Sequence, residues 1–271
     1  MIFFGKSDIG QKRKTNQDNF YVKQLTPRIV LAVVCDGMGG ANGGNVASEI
    51  AIHSFCERME HFVCETIGRA IAGGDITAAL AHAIVGANSA VYAKSKADPA
   101  LSGMGTTLVA AFIVENTLYI LNIGDSRLYR INPSEIRQMT TDHSLVQHLI
   151  DIGDIRAEDA ATYPHKNVIM RAVGIQSDIR VDISSSKLDD DSPCWLLLCS
   201  DGLSGTLKPD QIQSIVCNPS PQQSVEQKVD ELIAAANAAG GPDNITAVLL
   251  RTDKFGATEG FSESWNHSTD M

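Results

Sequence analysis

The stretch VVCDGMGG, residues 33–40, decides the fold and raises the functional question. It closes an apolar, β-branched run that begins at residue 29 and predicts a strand entering a protein core. The run ends on the carboxylate of Asp36, which three nearby glycines follow. An Asp-Gly pair is typical of a turn, so a plain strand-to-loop turn is one interpretation. The other is that this carboxylate has a chemical task at the mouth of the core.

Length and composition predict a globular protein with a sizeable core. The 271 residues suit one large domain or two smaller ones, and 44% hydrophobic against 20% charged residues argues against disorder. No uninterrupted apolar run reaches the roughly 20 residues that span a bilayer. The first eight residues lack the basic segment and long apolar core of a secretory signal. We therefore expect a cytoplasmic protein with no membrane partner.

Charge and cysteine content narrow the class of protein further. A net charge of −10 argues against a nucleic-acid partner, because phosphate polyanions repel an acidic surface. The acidity is either that of an ordinary soluble enzyme or that of carboxylates which a bound cation neutralises. The six cysteines form no C-x-x-C pair, which excludes zinc-ribbon and thioredoxin sites. We expect all six to be reduced, with Cys35 and Cys199 buried as small hydrophobes.

Hydrophobic periodicity predicts α+β layers rather than repeated βαβ units. The predicted helices span residues 45–67, 75–97 (with Asp75 as its N-cap), 209–217 and 221–239. The predicted strands span residues 20–24, 29–34, 194–200 and 244–251. Short β-rich runs between residues 106 and 140 predict an antiparallel meander, and residues 143–165 predict short helices in a mobile surface segment. Residues 253–271 are small, polar and acidic, and we expect a disordered tail there.

The opening pattern of an acid at a strand end recurs along the chain. Aspartates beside Gly, Asn or Ser lie at or next to strand ends at Asp18, Asp36, Asp125, Asp201 and Asp243. Gathering such charges in one partly buried site costs several kcal/mol per ion unless a cation compensates them. All of these ligands are oxygen donors, which suit Mg²⁺ or Mn²⁺ rather than Zn²⁺. Asp36 is therefore interpreted as a metal ligand, with Gly37 allowing close approach of a hydrated ion.

Arg13 adds a cation close to the acidic residues. It lies five residues before Asp18 in the run RKTNQD. Its guanidinium could form a structural ion pair with one acid, or it could hold a phosphate bidentately beside the metals. Metals together with an arginine clamp suit phosphoryl chemistry, because charge must be neutralised on the attacking and leaving oxygens.

Eight motifs, taken in order, carry a family resemblance. They are RKTNQD, VVCDGMGG, GTTLVAAFI, NIGDSRLYRI, TDHSLV, RAVG, LLLCSDGLSG and GPDNITAVLL. Together they resemble the bacterial-type members of the metal-dependent serine/threonine protein phosphatases, the type 2C (PPM) family. The resemblance runs over about residues 5–251. Any one motif is weak, whereas eight in register are highly specific.

The resemblance implies a fold and a reaction. The expected fold is a four-layer α/β/β/α sandwich, with two central antiparallel sheets flanked by helices, over one domain at residues 1–252. Residues 143–168 correspond to the family's flap, a variable segment beside the active site. The expected reaction is hydrolysis of phosphoserine and phosphothreonine, by in-line attack of a water that bridges two Mn²⁺ or Mg²⁺ ions. The expected partners are phosphorylated proteins and a cognate kinase, and the expected assembly is a monomer.

The resemblance also implies metal ligands, residue by residue. Asp36 would bridge the two ions, with the carbonyl of Gly37 assisting. Asp201 and Asp243 would ligate the second ion. Asp18 would lie near the first ion and act mostly through water. These expectations place every strand-end aspartate but one in the two-metal centre.

The remaining roles include two departures from the family pattern. Asp125 resembles the ligand of a third, weaker metal in bacterial members, and Arg13 resembles the phosphate-binding arginine. Animal members commonly carry a histidine where this chain has Met38, so the general acid is unassigned, and His143 is the nearest candidate by motif. A lone histidine near a loop is more often structural. Gln17 stands where many relatives have glutamate, which removes one outer carboxylate.

Other classes of phosphatase and other roles were weighed against this one. No cysteine is followed six residues later by arginine, as a cysteine phosphatase requires, and residues 189–193 do not fit the D-x-D motif of haloacid-dehalogenase-type enzymes. Two alternatives stay open from the sequence. One is a specialised regulatory phosphatase of a single partner protein, and the other is a non-catalytic phosphoprotein-binding relative.

Overall fold

Two antiparallel β-sheets pack face to face, and helices cover both outer faces, in a computed structural model that describes residues 1–165, 167–188, 194–218, 223–252 and 264–265. The strands are β1 (Ile2–Asp8), β2 (Asp18–Thr26), β3 (Ile29–Met38), β4 (Gly105–Thr106), β5 (Leu108–Val114), β6 (Thr117–Ile123), β7 (Arg127–Asn132), β8 (Glu135–Gln138), β9 (Asp182–Lys187), β10 (Trp195–Cys199), β11 (Ile245–Arg251) and β12 (Ser264–Trp265). The helices are α1 (Gly40–Thr66), α2 (Gly73–Ala97), α3 (Leu145–Asp151), α4 (Asp201–Ser204), α5 (Pro209–Val216) and α6 (Val225–Ala238), with short 3₁₀ helices at Pro99–Leu101 and Ala157–Thr162.

The strand order confirms the predicted four-layer sandwich. The first sheet runs β1-β11-β10-β7-β8, and the second runs β12-β2-β3-β5-β6-β9 with β4 beside β3. Apolar side chains such as Val34, Leu198 and Val248 fill the space between the sheets. Helices α1 and α2 cover the outer face of the second sheet, and α4, α5 and α6 cover that of the first. Alternating strand residues therefore face two different cores, which explains why these strands are apolar throughout.

The predicted single meander is wrong in one respect. β5 and β6 pair in the second sheet, whereas β7 and β8 pair in the first. The chain crosses from one sheet to the other at Gly124, whose φ is +105° and whose missing Cβ would collide with Thr107. This backbone conformation favours glycine. The crossing places Asp125 between the ends of the two sheets instead of in a surface hairpin.

β3 and α1 differ from their predicted bounds in a way that shapes the site. β3 continues past residue 34 to Met38, because its last residues pair with β4, with Gly37 opposite Thr106. Asp36 consequently lies inside a strand, where its cross-strand partner is Asp18. α1 begins at Gly40 rather than at residue 45, so the glycine-rich segment after the strand is the first turn of a helix.

Other predicted elements need smaller corrections. The N-cap of α2 is Ala72, and Asp75 lies in the first helical turn instead of capping it. The sequence reading missed β1, which pairs with β11 along its whole length, and β9, which pairs with β6. β9 reads DISSSK, a polar edge strand that local pattern does not reveal. The strands at 194–200 and 244–251 and the two later helices are confirmed, with small shifts at their ends.

Helix α2 bears on the prediction of no membrane partner. By length and composition it could cross a bilayer, since its most apolar 18-residue window has a mean hydropathy of 1.3. Its buried face, including Leu80, Ile84 and Val91, nevertheless packs into the core shared with α1 and the second sheet. A core helix shows the same composition. The absence of a membrane partner stays a prediction.

The predicted flap and tail are only partly covered by the described residues. The flap segment holds α3, capped by the Ser144 hydroxyl, and the 3₁₀ helix that follows it, as the sequence predicted. In the tail, Ser264–Trp265 pair with β2 as β12. Residues 253–263 and 266–271 lie outside the described residues, so the prediction of a disordered tail stays a prediction.

Candidate active site

The structure brings the five predicted aspartates together at one end of the sandwich. Asp18 and Asp36 are opposed on β2 and β3. Asp201 opens α4, two residues after β10 ends at Cys199, and Asp243 lies two residues before β11 begins at Ile245. Asp125 reaches the same place from the crossing between the sheets. Burial raises the pKa of Asp36 well above its ordinary value, and the charges of the other four aspartates raise it further. The five carboxylates therefore share one electrostatic neighbourhood.

Asp18 is held by two hydroxyl groups from the first sheet. Its Oδ2 accepts hydrogen bonds from Ser200 Oγ at 2.6 Å and from Thr246 Oγ1 at 2.7 Å. Its Oδ1 is buried and has no hydrogen-bond partner among the described residues. Burial raises the pKa of Asp18 to about 7, although the two hydroxyl groups act in the opposite direction. One carboxylate oxygen is thus anchored, and the other is left for a ligand that the protein does not supply.

Asp36 is fixed through its backbone by two neighbouring threonines. Its N–H donates to Thr107 Oγ1 at 2.9 Å, and its carbonyl oxygen accepts from Thr106 Oγ1 at 2.8 Å. Thr107 Oγ1 also lies 2.8 Å from Ser126 Oγ, which is the residue after Asp125. The strand that carries Asp36 and the crossing that carries Asp125 are therefore joined by hydroxyl contacts.

Asp125 and Asp201 repeat the arrangement of unpartnered oxygens. The Oδ1 atom of each is buried, and the part of the chain that the structure describes offers it no hydrogen-bond partner. Burial raises the pKa of Asp125 to about 7, and the charge of Asp201 adds to the effect. Burial raises the pKa of Asp201, and the charge of Asp243 raises it further. Buried carboxylates with unsatisfied oxygens are expensive unless paired with a cation.

These residues fit a hard divalent cation. Three of the unpartnered buried oxygens belong to Asp18, Asp125 and Asp201, and oxygen donors of this type are those that Mg²⁺ and Mn²⁺ prefer. Within the described residues, no three His, Cys, Asp or Glu side chains converge tightly enough to hold an ion by themselves. An ion here would complete its ligand shell with water or backbone oxygens, as Mg²⁺ commonly does.

Gly37 lies where the backbone of three segments crowds together. A Cβ at this position would collide with the carbonyl oxygens of Gly44 and Gln17. The Gly37 N–H donates to the Gln17 carbonyl at 3.1 Å, and the Gln17 side chain donates to the Gly40 carbonyl at 3.1 Å. Gln17 thus ties β2 to the start of α1. The side-chain amide of Gln17 supplies this hydrogen bond without charge. A glutamate at the same position would add a negative charge to the site.

Arg13 lies at the edge of the cluster and pairs with Asp243, not with Asp18. Its Nη2 is 2.6 Å from Asp243 Oδ2, and half of its side chain is exposed. The hydrogen bond to Asp243 raises the pKa of Arg13, and the charges of Asp36 and Asp201 contribute. The guanidinium therefore lies at the solvent entrance to the carboxylates.

His143 does not have the geometry of a general acid. The ring is buried, its Nδ1 accepts from the Gly124 N–H at 3.1 Å, and its Nε2 lies 3.1 Å from Asp182 Oδ2. Both ring nitrogens are therefore engaged by the protein. This outcome agrees with the structural interpretation of a lone histidine and leaves no proton for a substrate. Met38 has none to give.

Sequence reasoning missed the polar residues that support the aspartates. Ser200, Thr246 and Thr107 hold the acids by hydrogen bonds, as described above. Asn244 accepts from the Gln17 N–H at 2.9 Å and donates to the carbonyl oxygen of Thr15 at 3.0 Å, fixing the loop that carries Arg13. Ser200 and Asn244 each adjoin a candidate aspartate in a quoted motif, but Thr107 and Thr246 do not. Only Ser200 and Asn244 therefore had a local position that could have drawn attention to them.

Comparisons with known proteins identify the family of this chain. The sequence pattern of the family described as Protein phosphatase 2C matches residues 5–250. The chain is 36% identical over 250 residues to the serine/threonine phosphatase stp of Listeria monocytogenes, covering 92% of this chain and 94% of that protein. It is 35% identical over 246 residues to the protein phosphatase PhpP of Streptococcus pneumoniae, covering 90% and 94%.

One similar solved structure contains bound manganese ions. The catalytic domain of the serine/threonine protein phosphatase PstP in complex with two manganese ions superposes with a TM-score of 0.77 at 33% identity, over 93% of this chain and 98% of that one. A match of this extent in sequence and in fold shows the family. The chain belongs to the protein phosphatase 2C family and is a metal-dependent serine/threonine phosphoprotein phosphatase.

Proposed function

We propose that the aspartate cluster holds the two Mn²⁺ or Mg²⁺ ions with which this phosphatase hydrolyses phosphoserine and phosphothreonine in proteins. The observation that carries the proposal is the set of buried, unpartnered carboxylate oxygens on Asp18, Asp125 and Asp201. When bound, the ions would lower the pKa of the attacking water and offset charge on the phosphoryl oxygens. The protein's part is to hold and orient the ligands and to bind the phosphate.

Each aspartate has a proposed position in this centre. Asp36, whose pKa the charges of the other four aspartates raise, would be a ligand of both ions, and the Gly37 carbonyl would assist. Asp201 and Asp243 would hold the second ion. Asp18, anchored through Oδ2, would act on the first ion through Oδ1, mostly by way of water. Its two hydroxyl donors keep that orientation fixed.

Asp125 is the proposed ligand of a third, weaker ion. It stands apart from the β2–β3 pair, on the crossing between the sheets, and its Oδ1 accepts no hydrogen bond from the described residues. Burial raises the pKa of Asp125, and the charge of Asp201 raises it further. A bound cation would offset both the cost of desolvating the two carboxylates and the repulsion between their charges.

Arg13 is the proposed phosphate clamp. Its contacts with described residues use Nη2, towards Asp243, which leaves the rest of the planar fork facing solvent at the entrance of the site. A phosphate that enters beside Asp243 would meet these N–H groups in bidentate geometry. The pair with Asp243 thus aims the guanidinium and does not exclude a phosphate.

The proposed partners are phosphorylated proteins, with a cognate serine/threonine kinase that supplies them. We place the protein in the cytoplasm as a monomer without nucleic-acid or membrane partners. Its six cysteines, at residues 35, 56, 64, 194, 199 and 217, are free thiols, which fits a reducing compartment. A non-catalytic relative is less well supported, because every aspartate expected of an active enzyme is present and converges. A specialised role on one partner protein has no observation in its favour.

Hydrolysis of matched phosphopeptides tests the proposal. The same peptide carrying phosphoserine, phosphothreonine or phosphotyrosine is incubated with dialysed protein plus Mn²⁺, Mg²⁺ or excess chelator. We expect release of phosphate from the first two peptides only with a metal, since every proposed ligand is an oxygen. Full activity in excess chelator after dialysis would rule out the metal mechanism.

A further inference from the structure

The turn that carries Asp125 is gripped from the opposite side by His143. Gly124 donates its N–H to His143 Nδ1 at 3.1 Å, and its carbonyl oxygen accepts from the His143 N–H at 2.8 Å. The imidazole is 5% exposed, so water does not compete for these contacts. His143, 19 residues later in the chain, therefore hydrogen-bonds both the backbone N–H and the backbone carbonyl of Gly124.

The hydrogen bonds define the protonation of the ring. Nδ1 accepts from a backbone N–H, so it carries no proton, and the proton of a neutral ring must lie on Nε2. Nε2 then donates to Asp182 Oδ2 at 3.1 Å. Arg171 Nη1 also lies 3.1 Å from Nε2. Both atoms then carry hydrogen and neither can accept, so Arg171 Nη1 donates to Asp182 Oδ1, at 3.3 Å. Asp182 thus fixes the tautomer that grips Gly124.

The same histidine begins the flap. Its carbonyl oxygen accepts from the Met170 N–H at 2.7 Å, and Leu145 donates its N–H to the Val168 carbonyl at 2.8 Å. The two ends of the flap segment are therefore closed on each other at His143. The imidazole ring of the same residue contacts Gly124, in the turn before Asp125. The side chain of His143 therefore joins the flap to this turn.

We propose that His143 is a positioning residue for Asp125. It holds the Gly124 peptide in the one orientation that turns Asp125 Oδ1 into the site, and it thereby links the flap to the third-cation ligand. The inference rests on the proposed role of Asp125. Residues that orient a metal ligand from behind commonly change metal affinity by roughly 10- to 100-fold when lost. His143 touches neither phosphate nor cation in this role.

Counting bound Mn²⁺ by equilibrium dialysis of the full chain tests the link. We expect wild type to bind three ions at high Mn²⁺, and His143→Ala and Asp125→Asn to keep two tight ions and lose the third or bind it at least roughly tenfold more weakly. His143→Asn places an amide acceptor where Nδ1 was, so it should recover most of the third site. Ser144→Ala is the control, because it removes the α3 cap without touching Gly124.

Amide hydrogen exchange at Gly124 supplies a readout that is independent of metal. Exchange should accelerate in His143→Ala, and stay near the wild-type rate in His143→Asn and Ser144→Ala. If Asp125→Asn loses the third ion while His143→Ala keeps it, the positioning role is wrong and the proposed metal centre stands. If Asp125→Asn itself binds three ions, the third-site assignment fails and this inference fails with it.

Discussion

Asp18 and Asp36 face each other as a directly opposed pair on neighbouring strands, β2 and β3. Opposed like charges destabilise a sheet, and burial adds to the cost. The fold offsets part of it for Asp18 through the hydroxyl groups of Ser200 and Thr246. The remaining repulsion and desolvation lower the free energy of unfolding of the metal-free protein, and a bound divalent cation would offset them. The site therefore sacrifices stability for metal binding.

The metal-free protein should lose stability as pH rises through neutrality. The pKa values of Asp18 and Asp125 are raised to about 7 from an ordinary 3.8. Between about pH 4 and pH 7 the folded state then binds more protons than the unfolded state, so the free energy of unfolding falls with rising pH. In chelator, Tm should be several degrees higher at pH 5.5 than at pH 7.5, since 1 kcal/mol corresponds to about 2–4 °C in a chain of this size.

Saturating Mn²⁺ is the control for this pH dependence. The cation should raise Tm most at pH 7.5, where the carboxylates are ionised, and should flatten or reverse the trend. Thermal melts in matched buffers make the measurement. A metal-free Tm that climbs between pH 5.5 and pH 7.5 would contradict the account of Asp18 and Asp125.

Ser200→Ala should lower the free energy of unfolding, because Asp18 loses a hydrogen bond. The substitution removes the 2.6 Å donor to Oδ2 and leaves a buried carboxylate with one hydroxyl partner. Losing a hydrogen bond to a charged group costs about 1.5–3 kcal/mol. Urea unfolding with Mn²⁺ present should show this loss. Ser204→Ala is the matched control, because its hydroxyl makes a long 3.4 Å contact to the Ser200 carbonyl and none to an aspartate among the described residues. An equal loss of stability there would contradict the special role of Asp18.

Arg13→Ala should impair phosphate binding more than metal binding. Losing a charge-assisted bidentate contact costs about 1.5–3 kcal/mol, or roughly ten- to a hundredfold in kcat/KM, carried mainly by KM. Arg13→Lys should recover only part of this, because an ammonium lacks the planar fork. Steady-state kinetics on a phosphopeptide and a Mn²⁺ titration on the same variants make the measurement.

The competing role for Arg13 has its own signature. If the arginine serves only as the ion-pair partner of Asp243, Mn²⁺ affinity and Tm fall while KM at saturating metal stays unchanged. Arg28→Ala is the control, because that arginine also pairs with an acid, Glu115, but at the opposite end of β3. It should leave both KM and Mn²⁺ affinity at wild-type values.

Much of the fold and the main acids could be predicted because their signals are local. Apolar runs that end on Asp36 and Asp201 predict both a buried strand and a charge that needs compensation. The crossing at Gly124 and the polar edge strand β9 could not be predicted in this way, because strand pairing joins residues far apart in sequence. The extension of β3 to Met38 likewise depends on β4, about 70 residues later.

The supporting residues of the site were harder to predict than the acids. Ser200 adjoins Asp201, but serine beside aspartate is common in turns, and Thr246 lies three residues from the nearest aspartate. Neither position predicted a hydrogen bond to Asp18, which depends on the pairing of the strands. His143 could be interpreted as an acid or as a structural residue. Only its contacts with Gly124 and Asp182 decide between these. Roles that depend on contacts between distant segments stay hidden in a single sequence.

The most direct test of the metal centre is a calorimetric Mn²⁺ titration of Asp36→Asn, with Asp201→Asn beside it and Asp210→Asn, an exposed acid in the first turn of α5, as the control. The account predicts that Asp36→Asn loses tight Mn²⁺ binding and nearly all phosphopeptide hydrolysis. It also predicts an unchanged or higher Tm in chelator, because a buried charge has been removed. The control should match wild type. Tight binding of two Mn²⁺ ions by a folded Asp36→Asn, with near wild-type turnover, would contradict the account.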